Sequence, residues 1–292
     1  MKMIVKKIVE GVARGVCRHR GAQYFSREVL KNANPQTYNL RLPSGKEIVY
    51  AHHSAKRFDQ LRRDIEIVNF SGSDRSRGKE PETVEWLNEL SEEDVLWDVG
   101  ANVGTYSIYA ALEPGAKVLS FEPLASNYYG LNHNIFLNRD LIGSRIASVC
   151  VSLYRSDISF SSLNISSFGI QSSGNSYDVP IDAFGNEYVP DFKQGSIGAS
   201  IDFLIEKLGL DSPTAIKIDV DGHEMGVLQG ARNTLMREDL RRVVVEIDMA
   251  QEDLVDEVQS IFQRSGFMRG EARRSEAYDG KNMIYNIFFF RR

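Results

Sequence analysis

Residues 95–104 read Val-Leu-Trp-Asp-Val-Gly-Ala-Asn-Val-Gly, and this stretch decides the fold class. Its three leading apolar residues predict a short buried strand that ends at Asp98. The glycines at positions 100 and 104 predict a tight turn whose backbone can approach a ligand that a Cβ atom would exclude. A helix is predicted over 104–112, because Ile108, Ala111 and Leu112 share one face at helical spacing. A strand joined to a helix in this way is the repeating unit of α/β proteins.

The same alternation continues through the rest of the chain. Apolar runs predict further strands over 117–121, 145–151, 215–218, 243–245 and 283–290. Amphipathic stretches predict helices over 126–137, 201–208, 227–235 and 254–262. Strands that alternate with helices favour a parallel sheet covered on both faces. A serine-rich stretch interrupts this rhythm from Ser152 to about residue 197, and its apolar residues favour a loop or hairpin insertion, partly ordered over the site.

Residues 1–90 lack the alternation and are predicted to form an N-terminal extension to a ligand-binding domain over 91–292. The first 20 residues predict a basic amphipathic helix that packs on the body or on a partner chain, or lies on an anionic membrane surface. The elements predicted next are a hairpin from Tyr38 to Tyr50 with its turn at 43–45, a short strand over 65–70, an exposed linker over 71–79 and a helix from Pro81 to Leu90.

The charge of the chain is unevenly distributed, and this disfavours one class of partner. The net charge is −5, but residues 1–20 carry +5 and the other 272 residues carry −10. An acidic body is unsuited to gripping nucleic-acid phosphates. Cys17 and Cys150 are too few for a disulfide framework. Because no apolar run reaches about 20 residues and no signal peptide is recognised, we expect a cytoplasmic protein without a transmembrane segment.

Four acidic residues each directly follow a predicted apolar strand: Asp98, Glu122, Asp219 and Glu246. Ligands of open α/β sheets bind outside the carboxyl ends of the strands, so these carboxylates are expected to line one edge. A dinucleotide fingerprint fits poorly, because it needs glycine where Asn102 stands, and a carboxylate at Asp98 would repel a diphosphate. A cationic ligand such as S-adenosylmethionine suits Asp98 better. Glu122 is then placed to accept hydrogen bonds from both ribose hydroxyls.

Two long segments resemble the motifs of the FkbM-type methyltransferases. The first runs from Leu96 to Ser107 and is followed by Phe121-Glu122-Pro123 and Asn127. The second runs from Ile216 to Glu224 and is followed by 227–231 and by Val244-Val245-Glu246, with Asp221 where the family usually has Glu. The resemblance spans about residues 80–267. It implies a class I Rossmann-like α/β fold with a seven-stranded, mostly parallel sheet, S-adenosylmethionine as the methyl donor and a hydroxyl oxygen as the methyl acceptor.

The resemblance also implies the residues that contact the cofactor. They are Asp98, Gly100, Ala101, Asn102, Gly104, Thr105, Tyr106, Glu122, Pro123, Asn127, Ser152 and Asp219.

The second segment supplies the candidate catalytic groups, which are Asp219, Asp221, His223 and Glu224. An alcohol is a weak nucleophile, and His223 is suited to take its proton near neutral pH. Alternatively, His223 caps the helix that follows it, and Glu224 is only a favourable partner of the helix dipole. A divalent metal ion is a further option, with the carboxylates of Asp219, Glu246 and Asp248 as its ligands.

The preferred function is an S-adenosylmethionine-dependent O-methyltransferase that acts on a sugar, a glycan or another small hydroxylated metabolite. An NAD-dependent oxidoreductase and a non-catalytic nucleoside-binding scaffold are the alternatives. The acceptor pocket is expected from the N-terminal extension and the insertion. The insertion's aromatic residues either stack on a sugar ring or form the core of the insertion; they are Tyr154, Phe160, Phe168 and Tyr177.

Overall fold

The computed structural model describes residues 37–69, 78–274 and 283–291. The basic helix predicted over residues 1–20 lies outside these ranges, as does most of the predicted linker. Within the described ranges, no helix is both long enough and apolar enough to cross a membrane.

The N-terminal part of the described chain is a hairpin followed by two helices. Its elements are β1 (Thr37–Arg41), β2 (Glu47–Ala51), a 3₁₀ turn (His52–Ser54), α1 (Ala55–Asn69) and α2 (Pro81–Leu87). The hairpin and α2 lie where the sequence predicts them. The strand predicted over 65–70 is wrong, because residues 65–69 continue α1. Phe58, Leu61 and Ile65 recur at helical spacing and are buried, and this longer pattern decides the structure.

The end of the predicted linker turns inward instead of lying exposed. Gly78 is buried, and the side chain of Lys79 is only 12% exposed. Asp64 of α1 holds this segment, because its Oδ1 accepts the N–H of Lys79 (2.6 Å) and its Oδ2 accepts the N–H of Glu80 (3.2 Å). The linker prediction is therefore wrong at its last two residues, and the chain carries Lys79 and Glu80 into the interior.

The strands that follow are β3 (Val95–Val99), β4 (Lys117–Phe121), β5 (Ile146–Val149), β6 (Ser152–Leu153), β7 (Ile158–Ile165), β8 (Ser176–Tyr177), β9 (Phe192–Ala199), β10 (Ala215–Ile218), β11 (Arg242–Asp248), β12 (Met268–Arg274) and β13 (Ile284–Phe290). The helices between them are α3 (Thr105–Leu112), α4 (Ala125–Leu137), α5 (Arg139–Ile142), α6 (Ile201–Glu206), α7 (Glu224–Gln229), α8 (Arg232–Leu235) and α9 (Glu252–Arg264).

Seven of these strands form the central sheet, in the order β12-β13-β11-β10-β3-β4-β5. The five strands from β11 to β5 pair in parallel, whereas β13 is antiparallel to both β11 and β12. This confirms the expected Rossmann-like sheet. Strand β12 escaped prediction because it is an edge strand in which four of seven residues are charged, and its half-buried Gly270 and Ala272 give no apolar pattern. The strand order reverses between β3 and β10, so ligands are expected at the carboxyl ends of these two strands.

Apolar side chains cover both faces of the sheet. Neighbouring residues of a strand point to opposite faces, so Trp97 belongs to one buried cluster and Leu96 to the other. The second cluster also contains Ile48 and Tyr50 of the hairpin and Phe58 of α1. The described part of the N-terminal extension therefore shares a hydrophobic core with the central sheet.

The single helix predicted over 227–235 is two helices, α7 and α8, separated at Gly230. A Cβ atom on Gly230 would lie 2.1 Å from the carbonyl oxygen of Tyr154, so only glycine fits there. Helix α8 begins anew because Asp202 satisfies its first free donors, accepting the N–H groups of Asn233 and Thr234 at 2.8 Å each.

The stretch 152–197 folds as β structure. Strands β6, β9, β7 and β8 form a four-stranded sheet in that order, and β7 pairs antiparallel with β9 along its whole length. Tyr154 and Tyr177 are buried in a small apolar cluster with Leu163, whereas Phe160 and Phe168 are 79% and 74% exposed. Two of the four aromatic residues thus form the core of the insertion, and two lie on its surface.

Candidate active site

A cavity lies at the carboxyl ends of β3 and β10, where the strand order reverses. All four strand-end carboxylates line it: Asp98, Glu122, Asp219 and Glu246. Two of them do not directly follow their strands, which differs from the sequence prediction. Asp98 is the penultimate residue of β3, and Glu246 lies within β11. They still reach the same edge, because parallel neighbours present their carboxyl ends together.

The two glycines of the first motif allow two chain segments to approach each other. A Cβ atom on Gly100 would lie 1.8 Å from the backbone oxygen of Asp219, and one on Gly104 would lie 2.4 Å from Cδ1 of Leu131. Both glycines also have positive φ angles, 88° and 81°. A side chain at either position would therefore collide with this protein's own chain, and the approach of a ligand to these glycines stays a prediction.

Most of the predicted cofactor residues line the cavity. They are Asp98, Gly100, Ala101, Asn102, Thr105, Tyr106, Glu122, Pro123, Asn127, Ser152 and Asp219. Gly104 does not line it, since it packs against Leu131.

Asp98 has one fixed oxygen and one free oxygen. The Oγ of Ser107 donates to its Oδ2 at 2.5 Å, and the Oγ of Ser120 donates to that of Ser107 at 2.8 Å. Its Oδ1 is buried and has no hydrogen-bond partner among the described residues. Burial raises the pKa of Asp98, although the nearby charge of Lys217 opposes this shift. The side chain is therefore held in one orientation with an acceptor to offer.

Glu122 is fixed by the backbone on both sides. Its Oε2 accepts the N–H of Asn102 (2.8 Å), and its Oε1 accepts the N–H of Leu124 (2.9 Å). Burial raises its pKa to about 7, against the effect of these hydrogen bonds. Because each carboxylate oxygen has two lone pairs, both oxygens can still accept a bond from a ligand.

Buried polar atoms without partners are concentrated on the cavity wall. Within the described part of the chain they include Gln60 Oε1, Asp98 Oδ1, Asn102 Oδ1, Asn127 Oδ1, His223 Nε2 and Glu246 Oε1. Most are amide or carboxylate oxygens, which accept hydrogen bonds. Leaving such an atom unsatisfied costs about 1–3 kcal/mol. The wall is therefore suited to a ligand that donates several hydrogen bonds.

Lys217 lies at the centre of the charged groups. It is the register partner of Asp98 on the neighbouring strand, and its Nζ donates to Asp219 Oδ2 at 2.7 Å. Burial would raise the pKa of Asp219, but the ammonium groups of Lys217 and Lys79 outweigh it and hold that pKa well below its usual range. Burial and the charge of Asp219 raise the pKa of Glu246 far above its usual range. The two carboxyl groups are therefore shifted in opposite directions, Asp219 towards the ionised form and Glu246 towards the protonated form.

The carboxyl groups that come closest together differ from the predicted metal ligands. Oxygens of Glu80, Asp219 and Glu246 lie within 4.8 Å of one another. Asp248 does not line the cavity, and its Oδ1 accepts the N–H of Ala250 (3.1 Å). Lys79 contacts Glu80, and Lys217 contacts Asp219. Because two ammonium groups already supply positive charge here, this donor set does not fit a divalent ion.

His223 presents a free nitrogen to the cavity. It precedes α7, but its side chain makes no capping hydrogen bond. Burial lowers its pKa, and the backbone of Ile181 hydrogen-bonds its imidazole. Nε2 has no partner among the described residues, so the bond to Ile181 uses Nδ1. Burial thus favours the neutral ring, and within the described residues Nε2 is left without a partner.

The other two candidate catalytic residues differ in position. Asp221 lines the cavity, its Oδ2 accepts the N–H of Gly174 (2.7 Å), and burial together with the charge of Asp219 raises its pKa to about 6. Glu224 is not brought to the cavity: its Oε1 accepts the N–H of Gly222 (3.0 Å) in the first turn of α7. Burial raises the pKa of Glu224 to about 7.

Residues 98–268 match the family model of the methyltransferase FkbM domain. The chain belongs to the FkbM methyltransferase family. It is 31% identical over 167 residues to hexuronic acid methyltransferase AglP of Haloferax volcanii, a match that covers 55% of this chain and only 59% of that protein. It is 27% identical over 215 residues to methyltransferase sdnD of Sordaria araneosa, covering 67% of this chain and 82% of that one.

A solved structure with a similar chain course is that of M. jannaschii TYW2 in complex with AdoMet. It is 12% identical, with a TM-score of 0.43 over 89% of this chain and 88% of that one.

The FkbM match leaves out residues that complete the cavity wall. Arg57 and Gln60 of α1 and Lys79 line it from outside the matched range. Sequence reasoning missed all three, and Lys217 as well. Lys217 carries a signal, because a lysine inside the apolar strand Ala-Ile-Lys-Ile must find a buried partner. The other three stand in segments with no pattern that points to a site.

The insertion connects the two sides of this FkbM-family site. The carbonyl oxygen of Ser172 accepts Nδ2 of Asn102 (3.0 Å) and Nδ2 of Asn127 (2.9 Å). Next to it, Gln171 Oε1 accepts the N–H of Arg57 (3.1 Å). The segment around Ser172 therefore contacts both the first motif and α1.

Proposed function

We propose that this chain is an S-adenosylmethionine-dependent methyltransferase that methylates a hydroxyl oxygen of a sugar or another small hydroxylated molecule. The supporting observation is the group of buried acceptor atoms on the cavity wall, where the strand order reverses. S-adenosylmethionine carries donors that match them: two ribose hydroxyls, an adenine amino group and an ammonium. Membership of the FkbM family supports the reaction, and the relative named for hexuronic acid supports a sugar acceptor.

The residues that would hold the cofactor are those with fixed, free acceptor atoms. The two oxygens of Glu122 are held in place by backbone N–H groups and accept the ribose hydroxyls. The free oxygens of Asn102 and Asn127 accept further donors, since their amide nitrogens are fixed on Ser172. Asp98 offers Oδ1 to a cationic group. When bound, the cofactor supplies an electrophilic methyl group on its sulfonium.

In this proposal His223 takes the proton of the acceptor hydroxyl on Nε2. The nitrogen has no partner among the described residues, and burial lowers the pKa of the ring and so favours the neutral form that a general base needs. Positioned proton transfer of this kind contributes about 10²–10⁴-fold to a rate. The ammonium group of Lys217 pairs with Asp219 and holds the pKa of that carboxyl well below its usual range.

The proposal is tested by titrating the folded protein with S-adenosylhomocysteine in a calorimeter, and with NADH in a parallel fluorescence experiment. We expect saturable binding of S-adenosylhomocysteine and none of NADH. Binding of NADH alone would favour the oxidoreductase, and binding of neither to a folded protein would overturn the proposal.

A second measurement separates an enzyme from a scaffold. The protein is incubated with methyl-labelled S-adenosylmethionine and a panel of sugars, and the products are analysed by mass spectrometry. We expect one labelled methyl ether on at least one sugar. Cofactor binding without transfer to any hydroxylated acceptor would favour the non-catalytic scaffold.

A further inference from the structure

We infer that Arg57 and Gln60 of α1 bind the methyl acceptor, and that this acceptor carries a negatively charged group, a carboxylate or a phosphate. The inference rests on the proposed function, because it names the acceptor class of the same site. It concerns residues outside the FkbM match over 98–268.

The two residues share the cavity with the cofactor motif. Arg57 and Gln60 are three positions apart on α1, so their side chains lie on the same face of the helix. Both line the cavity that Asp98 and Glu122 line. Helix α1 is held in place, since Phe58 and Leu61 are buried in the core shared with the sheet. A molecule in this cavity therefore meets a rigid basic helix face as well as the motif residues.

Among the described residues, the guanidinium of Arg57 forms no ion pair, unlike the ammonium groups deeper in the site. Lys217 is paired with Asp219, and Lys79 is paired with Glu80. In the part of the chain that the structure describes, the guanidinium of Arg57 has neither an ion pair nor a hydrogen bond; only its backbone N–H is used, by Gln171. The neighbouring Lys56 is exposed on the same wall and is equally without an ion pair among the described residues.

The charge of Arg57 affects another group that lines the cavity, Lys79. Burial lowers the pKa of Lys79, and the charge of Arg57 lowers it further. A guanidinium presents a planar fork of N–H donors that matches a carboxylate or a phosphate with two parallel hydrogen bonds. A neutral acceptor would leave this fork unused, and a cationic acceptor would be repelled by it.

Gln60 adds a second requirement. Its Oε1 is buried and has no hydrogen-bond partner within the described ranges, so it needs a donor from the ligand. A hydroxyl group on the same ligand supplies that donor. The pair thus recognises a hydroxylated anion, such as a sugar acid or a sugar phosphate.

The competing partner for Arg57 is the carboxylate of the cofactor itself, and the experiment must separate the two. S-adenosylhomocysteine is titrated into wild type, Arg57→Met, Gln60→Met and Arg62→Met. Each protein, with and without S-adenosylhomocysteine, is then titrated with methyl glucuronide, glucose 6-phosphate and the neutral methyl glucoside. Arg62 is the matched control, because it lies on the same helix but pairs with Asp59 and Glu66 outside the cavity.

We expect wild type to bind one of the two anionic sugars at least about tenfold more tightly than methyl glucoside, as a charge-assisted hydrogen bond allows. Arg57→Met removes this preference and leaves the affinity for S-adenosylhomocysteine within about twofold. Gln60→Met lowers the affinity for the anionic sugar, but the variant still binds it more tightly than methyl glucoside. Arg62→Met behaves as wild type. Tighter binding of methyl glucuronide would indicate an acceptor that carries a carboxylate, and tighter binding of glucose 6-phosphate one that carries a phosphate.

Two results would overturn the inference. One is an anionic sugar that binds no better than methyl glucoside, including no binding of any sugar. The other is an Arg57→Met variant that loses S-adenosylhomocysteine but keeps its sugar affinities, since Arg57 would then bind the cofactor. Failure of wild type to bind S-adenosylhomocysteine contradicts the proposed function instead, and the titrations without it still report on the anion preference.

Discussion

The two sides of the cavity wall are assembled in different ways. The side proposed for the cofactor comes from residues 98–127, in the turns that follow β3 and β4. The side proposed for the acceptor comes from α1, from Lys79 and from the insertion, which are far apart in the sequence. Sheet register brings the strand ends of the first side to one edge, and only its two asparagines depend on the insertion, through Ser172. The second side depends throughout on contacts between separate segments, such as Asp64 to Lys79. The strand topology therefore determines where the cofactor side lies, while the acceptor side depends on how α1, Lys79 and the insertion pack together.

The largest expected effect is on turnover, at the junction of the two sides. His223→Ala removes the unpaired Nε2, and we expect kcat to fall about 10²–10⁴-fold with the affinity for S-adenosylhomocysteine unchanged. Transfer to the best sugar of the panel and calorimetry measure the two quantities. His133→Ala is the control, because His133 does not line the cavity. A variant that keeps its kcat would remove His223 from the chemistry.

The next effect is on folding, beneath the cofactor side. Lys217 is 3% exposed and balances the buried carboxylates of Asp219 and Asp98. Lys217→Met leaves them uncompensated, so the free energy of unfolding at pH 7 should fall by about 3–5 kcal/mol. Urea denaturation measures this change, with the exposed Lys117→Met as control. A loss below about 1 kcal/mol, within the range of exposed pairs, would mean that the ion pair is dispensable.

A smaller effect is expected within the cofactor side, and it depends on pH. Glu122→Gln keeps the shape but loses the negative charge, and binding of S-adenosylhomocysteine should weaken about 10–100-fold. The pKa of Glu122 is raised to about 7, so the carboxylate that accepts the ribose hydroxyls is lost as the pH falls through that value. Wild-type affinity should therefore rise between pH 6 and pH 8, as calorimetry can measure. An equal rise in the Gln variant would assign the pH dependence to another group.

The smallest effect tests how far the acceptor side extends along the insertion. Phe168 is 74% exposed and packs only edge-on to Phe192, with ring centroids 6.1 Å apart. Phe168→Ser should change the free energy of unfolding by less than about 0.5 kcal/mol and leave methyl transfer intact. Thermal unfolding and the sugar assay measure both. Lost transfer with unchanged stability would place Phe168 in the acceptor side.

Sequence reasoning succeeded on the cofactor side of the cavity and failed on most of the acceptor side. Apolar runs ending in acids predicted the sheet and brought Asp98, Glu122 and Asp219 to one edge, because strand ends in a parallel sheet must meet there. No comparable rule predicts the positions of α1 and of Lys79. Ile65 and Ile67 alternate as in a strand, and only the more distant Phe58 and Leu61 show that the segment is helical. Lys79 turns inward because of Asp64, 15 residues earlier, and no local pattern encodes that contact.

The second motif shows the same limit at shorter range. His223 and Glu224 are adjacent, yet one lines the cavity and the other bonds to the backbone of Gly222. His223 precedes α7 and Glu224 is the first residue of that helix, so the two neighbours stand on different backbone conformations. Sequence spacing predicts a cluster, but it does not predict which members of the cluster face a ligand.

One carbonyl group gives the insertion a thermodynamic role. Ser172 holds the amide nitrogens of both Asn102 and Asn127, so the free oxygens of those two residues are oriented only while the insertion is docked. Coupling between two events is reciprocal, so a ligand that uses these oxygens must stabilise the docked insertion by the same free energy. Saturation with S-adenosylhomocysteine should therefore slow hydrogen exchange at the amide of Gly174, which donates to Asp221. Cofactor and acceptor that both contact the docked insertion would therefore each raise the affinity for the other by the same factor.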